Sequence, residues 1–164
     1  MTVRGVFYVH SAPPALCPHI EWAVAGVLGV PARLAWTDQP AAPGSQRAEL
    51  LWEGKPGTAA AITSSLRAWK LARFEITEDA STGVDGIRYS FTPSLGVFTA
   101  SIGASGDIMV PEDRLRKVMA NAAAGKSALE YELDRLLGTP WDHELEPFRR
   151  AGDGAPVRWL HAAV

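Results

Sequence analysis

Only one cysteine, Cys17, stands in a chain of 164 residues. A lone thiol excludes an internal disulfide framework and any zinc or iron–sulfur centre built on several cysteines. Long hydrophobic runs are missing too. The longest, Trp22–Val30, falls well short of the roughly 20 residues that a bilayer-spanning helix needs. Arg4 is followed by a short apolar run with no small-residue cleavage site, so no export signal is read, and no lipidation motif is seen. The expected location is the cytoplasm, where a single thiol stays reduced. Positive charge is not in excess either: sixteen Lys+Arg face eighteen Asp+Glu, for a net charge of −2. That balance argues against a nucleic-acid partner, which needs a basic field. What is present is ordinary globular composition, 47% hydrophobic and 21% charged. The size suits one globular domain over residues 1–164.

Apolar periodicity gives the elements. Val3–Val9 reads as a strand. A helix follows, with Leu16, Ile20, Val24, Val27 and Leu28 as its apolar stripe, Pro18 at its first position and Gly29 past its end. Arg33–Asp38 and Arg47–Glu53 alternate and are expected to form a hairpin, with Trp36 and Trp52 facing each other across it. Thr58–Leu66 reads as a second helix and Ala72–Thr77 as a half-buried strand. The order strand–helix–strand–strand–helix–strand is the ferredoxin-like plan. The expected class is therefore α+β: a mainly antiparallel sheet with helices packed on one face. A β-hairpin over Ile87–Ile102, C-terminal helices from Pro111 onward and a final strand over Val157–Val164 would extend it. Ser127 and Glu130 have capping-box spacing.

Chemistry-bearing residues cluster near the first helix. If that helix starts at Pro18, Cys17 is its N-cap, where amides and the helix dipole favour a thiolate. His10, His19 and Glu21 are close in sequence, so a Cys/His site is one reading. The same cysteine and histidines, with a fourth ligand from His143 or His161, would suit zinc. Against both, Cys17 and His19 are two apart and diverge on a helix. A small buried hydrophobe with surface histidines is the simpler account, so no catalytic residue, metal or cofactor is expected. Gly54-Lys55-Pro56-Gly57-Thr58 lacks phosphate-loop spacing and reads as a turn, as does Gly103-Ala104-Ser105-Gly106. Asp142, Glu144 and Glu146 read as a solvated helix face, and Arg149-Arg150 as a short basic cluster, too small to suggest nucleic acid.

Six tryptophans are the oddest compositional feature. Trp22 lies off its helix's main stripe, beside the small residues Ala25, Gly26 and Gly29. Another helix could approach closely there, and tryptophan is enriched where proteins bind partners.

Several stretches carry a resemblance: Arg4–Pro13, Ala15–Ala23, Arg88-Tyr89-Ser90, Thr92-Pro93, Ile108–Leu115, Pro140-Trp141-Asp142, Glu144–Phe148 and Gly154–His161. Together they resemble an actinobacterial family known only as a domain of unknown function. The resemblance implies a bacterial cytoplasmic protein of this length, and it is a reason to consider fatty-acid (acyl-chain) metabolism for a ligand-binding or enzymatic alternative. It implies no activity and carries no catalytic residue.

The leading expectation is a non-enzymatic accessory or regulatory protein that binds a protein partner through a patch of His10, Cys17, His19, Glu21 and Trp22. The alternatives are a small-ligand binder or enzyme using Cys17 with a histidine, and a self-associating structural protein, a homo-oligomer closed by its apolar surface.

Overall fold

Alternation of apolar and polar residues along the strands sorts side chains onto two sheet faces, and each face acquires its own cover. The computed structural model of the protein describes residues 1–151. The chain runs β1 (Val3–Ala12), α1 (Cys17–Leu28), β2 (Thr37–Asp38), β3 (Gln46–Gly54), α2 (Thr58–Leu66), β4 (Arg73–Glu78), β5 (Gly86–Thr92), β6 (Gly96–Ile102), β7 (Ile108–Met109), α3 (Glu112–Ala123), α4 (Leu129–Leu137) and α5 (Thr139–Arg150). The strands form one antiparallel sheet in the order β2-β3-β1-β4-β5-β6-β7. Its first four strands, 2-3-1-4, have the ferredoxin-like order, and β5 to β7 extend it as a meander. The strand expected over Val157–Val164 lies outside the described residues.

The first face is apolar. Phe7, Val9, Phe74, Ile76 and Phe91 pack against Ile20 and Val24 of α1 and Ile62 and Leu66 of α2. Each such side chain contributes roughly 1.5–3 kcal/mol when fully buried. Gly5 is required on this face because the Trp52 indole lies against it.

The second face is covered by α5, so the sheet has helices on both sides. Phe98 and Ala100 of β6 pack against Trp141 and Leu145. Glu75, Ser90 and Arg88 share this face, since Glu75 pairs with Ser90, Ser90 with Phe98 and Arg88 with Ala100. A bulge in β1 re-aims its end: Val9 pairs with Phe74, but Ser11 pairs with Arg73. His10 and Ser11 consequently both reach side chains of the α5 face, Glu75 and Arg73 respectively.

Several local expectations are corrected. Only Thr37 and Asp38 of the first hairpin arm pair, opposite Arg47 and Gln46, so Trp36 and Trp52 are not cross-strand partners. Trp36 instead donates its indole N–H to Glu21 at 3.0 Å. The capping box at Ser127 does not form: Ala128 is the N-cap of α4, no side chain caps that helix start, and the Ser127 hydroxyl has no partner. Among the described residues no helix is long and apolar enough to cross a membrane.

Candidate functional site

A lone charge buried beneath a helix must collect partners, and Glu75 does. Its side chain is completely buried in the middle of β4. Arg149 of α5 grips it side-on: Nε donates to Oε2 at 2.8 Å and Nη2 donates to Oε1. His10 Nε2 donates to Oε2 at 2.6 Å and Ser90 Oγ donates to Oε1 at 2.9 Å. Burial alone would raise this carboxyl, but the bonds and charges of His10 and Arg149 outweigh it and hold it far below the usual carboxylate range. Arg149 is 1% exposed and also donates to Asp142 at 3.0 Å and Glu146 at 3.4 Å. Gln39 completes the lock by donating to the carbonyls of His10 at 2.7 Å and Phe148 at 3.2 Å.

This cluster ties α5 to the sheet. Four donated bonds satisfy Glu75, and the α5 side chains shut it from solvent. The sequence reads Arg149 as part of a short basic cluster and Asp142 and Glu146 as a solvated face; Arg149 is buried against Glu75, while Asp142 and Glu146 bond to it and stay partly exposed. One signal was available: Arg149 follows Trp141 and Leu145 at spacings of eight and four, on the helix's apolar stripe.

The geometry scatters the five residues of the expected patch. His10 is buried on the α5 side with Glu75. Cys17 is buried on the α1 side, where its Sγ donates to the Pro13 carbonyl at 3.5 Å. It is not an N-cap: a short 3-10 turn, Pro14–Leu16, runs directly into α1, and Cys17 is the first residue of the helix. Burial, and then the Glu21 charge, push its thiol up from the ordinary value, the opposite of an activated nucleophile. Glu21 accepts from the Leu34 amide at 2.8 Å as well as from Trp36, which ties the loop after α1 to that helix. An aromatic disulfide reagent should therefore label native Cys17 orders of magnitude more slowly than the denatured chain. Immediate stoichiometric labelling of the folded protein would contradict this placement.

His19 and Trp22 are exposed, and they share a surface. They lie three apart on α1, and His19 meets Trp69 edge-on at 6.3 Å. Trp22 is 77% exposed at the rim of a groove of about 930 Å³. Trp69, Val30 and Pro31 form its other apolar walls, and Ala25, Gly26 and Gly29 its small-residue floor.

The remaining sequence motifs resolve simply. The α2 amides after Gly54-Lys55-Pro56-Gly57 are taken: Glu78 accepts from Gly57 at 2.9 Å and Ala59 at 3.0 Å, a carboxylate where the helix dipole favours one. Gly103–Gly106 is a turn closed by the Gly106 amide on the Gly103 carbonyl. No group of three metal-ligating side chains occurs among the described residues.

A family model described as "Protein of unknown function (DUF3145)" matches residues 6–162. No curated protein and no solved structure matches the chain.

Proposed function

The chain belongs to the DUF3145 family, and from its geometry we propose that it is a non-enzymatic accessory protein that docks an amphipathic helix of a partner protein in the α1 groove. The observation that carries this reading is Trp22, a large aromatic left 77% exposed beside a helix surface made of glycine and alanine. Water gains nothing from that arrangement, whereas a partner helix laid on Gly26 and Gly29 brings its backbone close and covers the indole. Val30, 57% exposed, adds to the apolar surface of the groove.

Charge sets the character of the partner. Arg33, Arg67 and Lys70 are all exposed and adjoin the groove residues in sequence. Glu21, an acid of α1, is bonded to Leu34 and Trp36. A positive rim on a chain of net charge −2 favours a helix with acidic flanks.

The test is affinity capture from native extract with Trp22→Ala and Gly26→Trp. A Cβ at Gly26 meets nothing within 4 Å, so the backbone there has room for a side chain, and the second change is placed to fill the groove. Loss of the same captured protein in both variants, at unchanged melting temperature, is the expected result, with about a 30-fold weaker affinity for Trp22→Ala. Met119→Ala, exposed on α3, serves as control and should capture normally. An unaltered set of captured proteins in both groove variants rejects the reading. A concentration-dependent dimer that Gly26→Trp abolishes would replace the partner helix by a second copy of the chain.

A further inference from the structure

The outer edge of β3 is open. β3 runs for 9 residues, Gln46–Gly54, but β2 pairs only with Gln46 and Arg47. The chain entering β2 has left the ladder, since the Leu34 amide donates to Glu21 at 2.8 Å and the Trp36 amide to the Leu34 carbonyl at 3.1 Å. The register shows which groups of β3 face outward. On β1, Val6 donates its N–H to Thr77 and the Arg4 carbonyl accepts from Asp79, both on the β4 side. Their partners on β3, Leu51 and Glu53, therefore turn N–H and C=O away from β1, and Glu49 follows by the same alternation. Among the described residues nothing bonds to the main-chain groups of these three. Their side chains lie on the sheet face away from α1 and α2, and all three are exposed, Leu51 to 74%. Such a row of unpaired groups is a template for one more strand.

We propose that the β3 edge binds an extended segment of a partner protein, added as an antiparallel strand, with a basic side chain opposite Glu49 and an apolar one opposite Leu51. In this mode of recognition main-chain bonds supply the affinity and alternate side chains the selectivity. The Glu49 carboxylate has no hydrogen-bond or ion-pair partner among the described residues. Glu53 is paired with Arg4 at 3.3 Å, an exposed contact that leaves it open to a second cation. Arg47, the basic residue of this row, stands where β2 already pairs. An acid, a leucine and an acid at alternate positions are matched by base, apolar, base. A second copy of the chain fits poorly. Pairing Leu51 with Leu51 about a two-fold axis sets Glu49 against Glu53 twice, and like charges directly opposed destabilise a strand pair. Moving that register by two residues runs the copy into β2 one way and past the end of β3 the other.

The experiment is a ¹H–¹⁵N titration of the full chain with two capped heptapeptides, Thr-Lys-Thr-Val-Thr-Lys-Thr and its counterpart with Glu for Lys, while amide exchange is followed along β3. In the free chain the amides of Leu50 and Trp52, turned to β1, should exchange slowly and those of Glu49, Leu51 and Glu53 fast. The lysine peptide should shift residues 48–54 saturably and slow the three fast amides. The glutamate peptide should bind about fivefold more weakly, and Glu49→Lys should remove that preference. Leu51→Pro deletes one outward N–H and no bond to β1, and should abolish the protection that the peptide brings. If the proline variant fails to fold, Glu49→Lys and the wild-type exchange pattern still decide. No saturable shift, equal binding of the two peptides, or an unchanged preference in Glu49→Lys overturns the proposal. Slow exchange of the three amides in the free monomer would mean that this chain fills its own edge, and protection that vanishes on dilution would mean a second copy; either result overturns it too. Trp22→Ala should bind the lysine peptide normally, so this proposal and the α1 groove fail separately.

Discussion

Replacing Arg149 by methionine is expected to cost about 3–5 kcal/mol of folding stability, the price of leaving a buried carboxylate without its cation. For a chain of this size that lowers the melting temperature by roughly 6–20 °C. The loss should depend on pH in a definite direction. In the wild type the Glu75 carboxyl titrates below its ordinary value of 4.5, so its ionic contribution is complete above that value. It fades as pH falls from there toward the depressed folded value. Without Arg149, burial makes protonation of Glu75 easier. The gap between the two proteins is then widest near neutrality and narrows as pH falls through the variant's Glu75 titration toward the depressed wild-type value. Chemical denaturation at pH 7 and pH 4 measures both quantities. Adding Glu75→Gln to Arg149→Met should recover part of the loss, because a neutral amide is cheaper to bury than an unpaired charge. A loss under 1 kcal/mol at pH 7 would show that α5 is not held by this pair.

Gly5→Ala is expected to be comparably damaging for a steric reason. A Cβ at this position would sit 1.8 Å from the Thr77 carbonyl oxygen and 2.6 Å from the Trp52 ring. The indole could turn aside, but the oxygen belongs to the backbone of β4, so β1 and β4 would have to part. Overpacking of this severity lies at or beyond the upper end of the usual range, about 3 kcal/mol or more. Gly26→Ala makes the contrast, since its Cβ meets nothing and alanine favours a helix interior over glycine by about 1 kcal/mol. Urea unfolding of the two variants should move the midpoint in opposite directions. A Gly5→Ala protein as stable as the wild type would mean that the close approach of β1 and β4 is not needed.

The sequence made the first half of the fold legible because its elements announce themselves locally. Phe74 and Ile76 alternate with Arg73 and Glu75, Thr58–Leu66 has clean ends, and Gly29 stops α1 with a φ of 72°. From these the element order follows, and with it the ferredoxin-like sheet. The second cover was not legible. Glu75 looks like the solvated side of a half-buried strand until α5 is laid over it, and nothing local says that a helix 74 residues away returns to that spot. His10 and Cys17 were grouped because they are close in sequence, but the β1 bulge and the intervening turn send them to opposite faces of the sheet. Trp22 was legible because its exception was local: an indole off the stripe, beside two glycines. The open edge of β3 was not, since the alternation of Arg33–Asp38 looks like a full-length partner for it.

The ion cluster under α5 joins positions 10, 75 and 149 of one chain. Contacts so distant in sequence are slow to form, because the entropy of closing long loops must be met before they stabilise anything. During synthesis, β1 and β4 emerge well before α5 does. A nascent chain halted ahead of Arg149 would present Glu75, His10 and the apolar ring of Phe98 to water. Such a stalled fragment should be a client for chaperones and prone to aggregate until α5 leaves the ribosome.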